Sequence, residues 1–146
     1  MRDEKYKAAV YCRFANEDEP IRAAIYCRLA SADEHAMEAQ LHNMRSFAQS
    51  LGYMDCLEYL DNGFSGLTLD RPVFSQMNNL IRSNQVCAVL VKDLSRIGRN
   101  AISVYSWLNE MGRLGVKVVS LNAGELRVSE NETNRLHRVL AQTNRF

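Results

Sequence analysis

The chain has 146 residues, 47% of them hydrophobic, and a formal net charge of +1. That length holds one domain with a single core and leaves no room for a second. The apolar runs, such as Val86 to Val91, fall far short of the roughly 20 residues that cross a bilayer. The charged opening MRDEKYK also lacks the apolar stretch of a secretory signal. A cytoplasmic protein with no membrane partner is therefore expected.

Reading from the amino terminus, Ala8 to Glu19 recurs fifteen residues later as Ala23 to Glu34, with eight of twelve positions identical. Two copies at so short a period make a duplicated strand, not a repeat architecture. The second copy runs straight into a helical pattern, whereas the first meets Pro20. Residues 23–30 are thus the expected first strand, and 1–22 an extension. Met37, Leu41, Met44, Phe47, Ala48 and Leu51 then recur at helical spacing up to Gly52. Residues 54–60 read as a strand with a turn at Asn62-Gly63. Asp70 is the expected cap of a helix with Pro72 in its first turn and Phe74, Met77, Leu80 and Ile81 on its buried stripe. Val86 to Val91 reads as a strand covered on both faces.

Asn100 is placed to cap a helix carrying Val104, Trp107 or Leu108, Met111 and Leu114, closed by Gly115, and Val116 to Leu121 supplies a fourth strand. Ser129-x-x-Glu132 forms a capping box for a last helix with Leu136, Val139 and Leu140. Strand and helix in alternation predict an α/β fold, an open and mainly parallel four-stranded sheet with helices on both faces. The domain division expected is 1–22 extension, 23–128 globular domain and 129–146 carboxyl-terminal helix, the last a candidate oligomerisation segment because little chain remains to cover its stripe. Cys12, Cys27, Cys56 and Cys87 lie in apolar strand-like segments without metal-ligand spacing. They read as reduced core residues, with no metal site and no cofactor. His35, His42 and His137 read as solvated helix surface.

Cation choice carries more information than net charge. Fourteen Arg stand against four Lys, and the planar guanidinium fork suits phosphate. Open α/β sheets bind ligands beyond the carboxyl ends of their strands. Those ends bring together Arg28 with Ala30 and Ser31, the stretch Asp61 to Gly66, the stretch Lys92 to Arg99, and Asn122. Arg96 and Arg99, three apart, share one side of a helical turn. A lone arginine pair would more often cap neighbouring carboxylates; convergence at the binding edge favours a phosphate site.

Three segments then resemble one family: Tyr26-Cys-Arg-Leu, Asp61-Asn-Gly-Phe-Ser-Gly with Leu69-Asp-Arg-Pro72, and Val91-Lys-Asp-Leu-Ser-Arg-Ile-Gly-Arg-Asn100. In order and spacing they resemble the signature segments of the resolvase/invertase serine recombinases, over about residues 22–122. The resemblance implies site-specific breakage and rejoining of DNA through a phosphoserine link, without metal or cofactor. It implies Arg28, Arg71, Arg96 and Arg99 as phosphate-binding arginines, with Gln40 and Lys92 beside them. Asp61 would orient an arginine or the nucleophile. Ser65 reads as a turn residue.

Where the family carries its nucleophilic serine, this chain has Ala30, which implies impaired or absent cleavage. Ser31 is the nearest hydroxyl, and strand alternation would turn it away from the arginines. The DNA-binding domain that follows the last helix in family members is not among the 146 residues, so the chain reads as a fragment of a longer recombinase or a reduced homologue. DNA and a second copy of the chain are the expected partners. The alternative is a non-enzymatic partner or regulatory oligomerisation module of an active recombinase. A metal-dependent phosphohydrolase built on Asp61 lacks a second carboxylate at the strand ends.

Overall fold

A computed structural model describes residues 22–126 of the chain. The duplicated amino-terminal segment and the last helix expected from Ser129 fall outside the described residues, and with them the extension and the oligomerisation segment. Strand and helix alternate as β1 (Arg22–Leu29), α1 (Glu34–Ser50), β2 (Leu57–Asn62), α2 (Pro72–Arg82), β3 (Val86–Val91), a 3₁₀ turn (Leu94–Arg96), α3 (Ala101–Arg113), β4 (Lys117–Ser120) and β5 (Gly124–Leu126).

The sheet order is β2-β1-β3-β4-β5. The first three pairings are parallel, while β4 and β5 pair antiparallel. Five strands therefore replace the four expected. The extra one is only three residues long, too short to show an alternating pattern, and a tight turn in which Ser120 Oγ accepts the Ala123 N–H at 2.8 Å folds it back on β4. The second strand also starts later than expected, at Leu57 instead of residue 54. Asp55 sits at φ 52°, so the chain is still turning there.

Local signals explain most helix ends. Asp33 Oδ1 accepts the Ala36 N–H at 3.0 Å to start α1, and Asn100 Oδ1 accepts the Ser103 N–H at 3.2 Å to start α3. Gly52, at φ 89°, takes the left-handed conformation that closes α1.

The sheet separates two apolar layers. On one face Met37, Leu41, Met44 and Ala48 of α1 pack on Ala23, Ile25, Cys27, Ala88 and Leu90. On the other, Phe74, Met77 and Ile81 of α2 and Val104, Trp107, Leu108 and Met111 of α3 pack on Ala24, Tyr26, Val89 and Val91. The Phe74 ring lies 5.0 Å from Tyr26 and 5.6 Å from Trp107, and the buried indole N–H is satisfied by Asn78 Oδ1 at 2.9 Å. Cys27 and Cys56 are free thiols. Cys87 is disulfide-bonded, which corrects the reading of all four cysteines as reduced: it is only half-buried in β3, so its sulfur is reachable by another thiol.

Candidate functional site

Strand β1 runs between β2 and β3, and the chain leaves β1 for a helix on one face but leaves β3 for a helix on the other. Such a switch point opens a crevice at the carboxyl ends of the two strands. Arg28 ends β1, Asp61 lies opposite it in the β1–β2 register, and the 3₁₀ turn follows β3.

Asp61 is 0% exposed and fully engaged. It accepts the Tyr26 hydroxyl at 2.7 Å, the Phe74 N–H at 3.0 Å and the Val73 N–H at 3.2 Å. The last two are unpaired donors of the first turn of α2, where a carboxylate also meets the positive end of the helix dipole. Arg71 occupies the cap position and its side chain does not cap. Asp70, the expected cap, is exposed, its N–H bonded to Thr68 Oγ1 at 3.0 Å. The helix is thus capped by a carboxylate from a neighbouring strand. Burial first, and the bond to Asp61 second, push the Tyr26 phenol well above its ordinary pKa, so it stays a donor.

Arg28 is 2% exposed and spends its guanidinium on backbone. Its Nε donates to Arg96 O at 3.1 Å, Nη1 to Phe64 O at 3.0 Å, and Nη2 to Ser95 O at 2.6 Å. Gly66 makes room for it: a Cβ there would lie 2.8 Å from Nη2. Burial first, then the nearby Arg71, with Arg96 and Arg99 behind it, lower the Arg28 pKa.

Arg71 is 1% exposed. It donates through Nη2 to Ile97 O and stacks over the Phe74 and Tyr26 rings at 4.7 and 5.6 Å. Its Nε and Nη1, and the Nε of half-buried Arg96, are buried with no hydrogen-bond partner among the described residues. Arg99 is exposed, and its N–H donates to Gly66 O at 2.7 Å. The ion pairs seen among the described residues are Arg45–Glu58 and Arg82–Glu110, and neither involves an arginine of this crevice. Four guanidiniums therefore share one crevice, and no carboxylate pairs with them among the described residues.

The other anticipated residues have varied placements. Gln40 of α1 reaches across to accept the Arg28 backbone N–H at 3.3 Å. Ala30 and Ser31 lie in an exposed bend beyond the last strand residue, Leu29, so strand alternation does not set their direction. No hydrogen bond joins Ser31 to Arg96 or Arg99 among the described residues. Lys92 is half-buried just past β3, its carbonyl accepting the Asn122 N–H at 3.2 Å, and nothing ties its ammonium to the cluster. Ser65 Oγ accepts the Leu67 N–H at 3.1 Å, a turn role. Tyr26 and Gly66 are the participants that sequence reading passed over: both stand inside the quoted segments, but neither carries a role of its own there. Among the described residues no His, Cys, Asp and Glu side chains group to hold a metal ion.

The fold is shared with the N-terminal catalytic domain of TP901-1 integrase, with a TM-score of 0.68 at 23% identity over 84% of this chain and 94% of that one. A resolvase family site-specific recombinase from Streptococcus pneumoniae aligns with a TM-score of 0.64 at 30% identity, over 86% of this chain and 88% of that one. The C-terminal catalytic domain of ISC1926 TnpA, an IS607-like serine recombinase, aligns at 24% identity with a TM-score of 0.64, over 79% and 76%. No curated protein sequence matches the chain. The family model described as the N-terminal domain of resolvases matches residues 23–146. With that match running from the second residue of β1 through the whole arginine crevice, the chain belongs to the resolvase family of serine recombinase catalytic domains.

Proposed function

We propose that this domain binds a DNA phosphodiester in the arginine crevice and that, with Ala30 at the nucleophile position, it does not cleave the strand. The observation that carries the reading is the cluster of four guanidiniums with no carboxylate partner among the described residues, three of whose buried nitrogens find no acceptor there. Uncompensated cations at a low-dielectric crevice attract a phosphate strongly. Arg96 and Arg99, half-buried and exposed, supply the direct donors. Arg71, buried behind them, adds its unpaired charge to the field. Such a cluster stabilises a phosphoryl-transfer transition state but supplies no attacking atom.

The test is strand cleavage. Fused to a recombinase DNA-binding domain and given its matching site, the chain should form no covalent adduct on a denaturing gel. Ala30→Ser restores an attacking oxygen: Oγ bonds to phosphorus, the 3′ oxygen leaves and takes a proton, and the protein stays joined to the 5′ phosphate. Adding Arg96→Ala should then lower the adduct rate by on the order of a hundredfold, as losing a charge-stabilising donor commonly does. An adduct from the unaltered chain, abolished by Ser31→Ala, would sink the reading and make Ser31 the nucleophile.

Ala30 also favours a second reading, in which the domain pairs with an active recombinase as a non-cleaving subunit. Co-expression separates the two: a regulatory subunit changes the partner's cleavage rate, and a solitary binding domain does not. Pairing with a second copy of the chain and a cytoplasmic location belong to the same proposal. Sedimentation and cell fractionation test these directly.

A further inference from the structure

We infer that Asn62 and Gly63 are positioning residues, which clamp the bend at residues 30–32 so that the nucleophile position faces the arginine crevice. This rests on the reading of the crevice as a phosphate site. The bend lacks the means to shape itself. Ala30, Ser31 and Ala32 are all exposed, the two alanines offer only a methyl group, and the Ser31 hydroxyl makes no hydrogen bond among the described residues. Free residues of this kind sample many backbone states, so whatever fixes them comes from outside the bend.

Both ends of the bend are held by the segment that leaves β2, where Asn62 stands opposite Leu29 in the register. At the entry, Leu29 O accepts two consecutive N–H groups, from Gly63 at 2.8 Å and from Phe64 at 2.9 Å. At the exit, Asn62 Oδ1 accepts the Asp33 N–H at 3.0 Å, and Asp33 is the residue that caps α1. Successive N–H groups converge readily on one acceptor where the residue carrying the first turns left-handed, as Gly63 does at φ 91°. Gly63 also lies against the bend itself: a Cβ there would stand 3.1 Å from Ala32 Cβ and 3.4 Å from Ala32 N. The bend is thus held at Leu29, at Ala32 and at Asp33. It leaves β1 at the strand's carboxyl end, where the crevice opens, so the clamp keeps residue 30 beside the guanidiniums.

A thiol at residue 30 reports this placement in the intact chain, because nearby guanidiniums favour the thiolate. In the Ala30→Cys chain, alkylation by iodoacetamide is followed against pH, with the peptide bearing residue 30 read by mass spectrometry. The midpoint should fall to about pH 7.5 or below, against about 8.5 for a free thiol. Adding Asn62→Leu removes the acceptor, and adding Gly63→Ala strains the turn and crowds Ala32; each should return the midpoint most of the way to the free value. Gly115→Ala is the control, since it strains another left-handed glycine, at φ 73°, whose added methyl meets nothing within 4 Å. It should leave the midpoint alone. A merely structural clamp would lower stability in the two clamp variants without moving the midpoint, and that result would overturn the positioning role. So would a midpoint moved as far by Gly115→Ala, or an ordinary midpoint in the Ala30→Cys chain itself, a reading that needs no clamp variant to fold. Inorganic phosphate keeps the two ideas apart: no shift of the Arg96 and Arg99 Nε–H signals on titration would overturn the phosphate site, while the thiol midpoint still decides the clamp.

Discussion

Two halves of one crevice satisfy their polar groups in opposite ways. Around Asp61 every bond closes: the carboxylate, the Tyr26 hydroxyl and the first N–H groups of α2 all find partners. A few residues away, Arg71 and Arg96 keep buried nitrogens without an acceptor among the described residues. Buried polar groups are nearly always paired, so unpaired ones clustered at a switch point mark function more than folding. The satisfied half holds the fold in place, and the unsatisfied half is left for an anion.

The sharpest way to break this contrast is Asp61→Ala. It orphans three donors at once, two of them backbone, at about 1–3 kcal/mol each. Urea unfolding should show a loss of about 3 kcal/mol or more, and the double variant with Tyr26→Phe should lose less than the sum of the single ones because the two share a bond. A loss under about 1 kcal/mol would mean that the helix start of α2 is held by something other than this carboxylate.

Arg71→Met tests the other half, with a smaller expected effect on stability. Removing Arg71 frees two unpaired nitrogens, which favours the variant, and loses the ring contacts and the bond to Ile97 O, which disfavours it. These contributions are each about 1–3 kcal/mol and opposed. Stability should therefore stay within about 1 kcal/mol of the parent, while phosphate binding by NMR or calorimetry weakens several-fold. A destabilisation matching Asp61→Ala would show that both halves are structural, and the contrast would fail.

The legible parts of the molecule are those governed by local pattern. The order of strands and helices, the Asn100 cap and the convergence of Arg28, Arg96 and Arg99 follow from periodicity and from where strands end. What escaped reading depends on partners distant in sequence. Asp70 stood where a local cap belongs, but the working cap is Asp61, twelve residues before Val73. That Phe64, Ser95 and Arg96 turn their carbonyls toward Arg28 depends on loop shape, which no side-chain pattern records. The same holds for Ser31, whose direction was argued from strand alternation although the strand stops at Leu29.

The smallest effect separates the halves by pH. Successive residues of β1 face opposite layers, Tyr26 toward α2 and Cys27 toward α1. Burial, reinforced by the nearby Glu58 charge, pushes the Cys27 thiol from its ordinary 9.0 up to about 12. Between those values the unfolded chain releases a proton that the folded chain retains, so the folded state binds more protons and stability falls as pH rises. From this thiol alone the loss should reach about 1 kcal/mol by pH 10. The Tyr26 phenol, raised in the same direction, adds to the fall at higher pH, and half-buried Cys56, raised to about 11, adds a further part. The alkaline loss from these groups belongs to neutral buried acids. Cys27→Ala should flatten the fall between pH 9 and 11 whatever its baseline stability, and Arg96→Ala should leave the slope alone. Identical pH profiles for the parent and Cys27→Ala, measured by urea unfolding at each pH, would show that the thiol is not held protonated by the core.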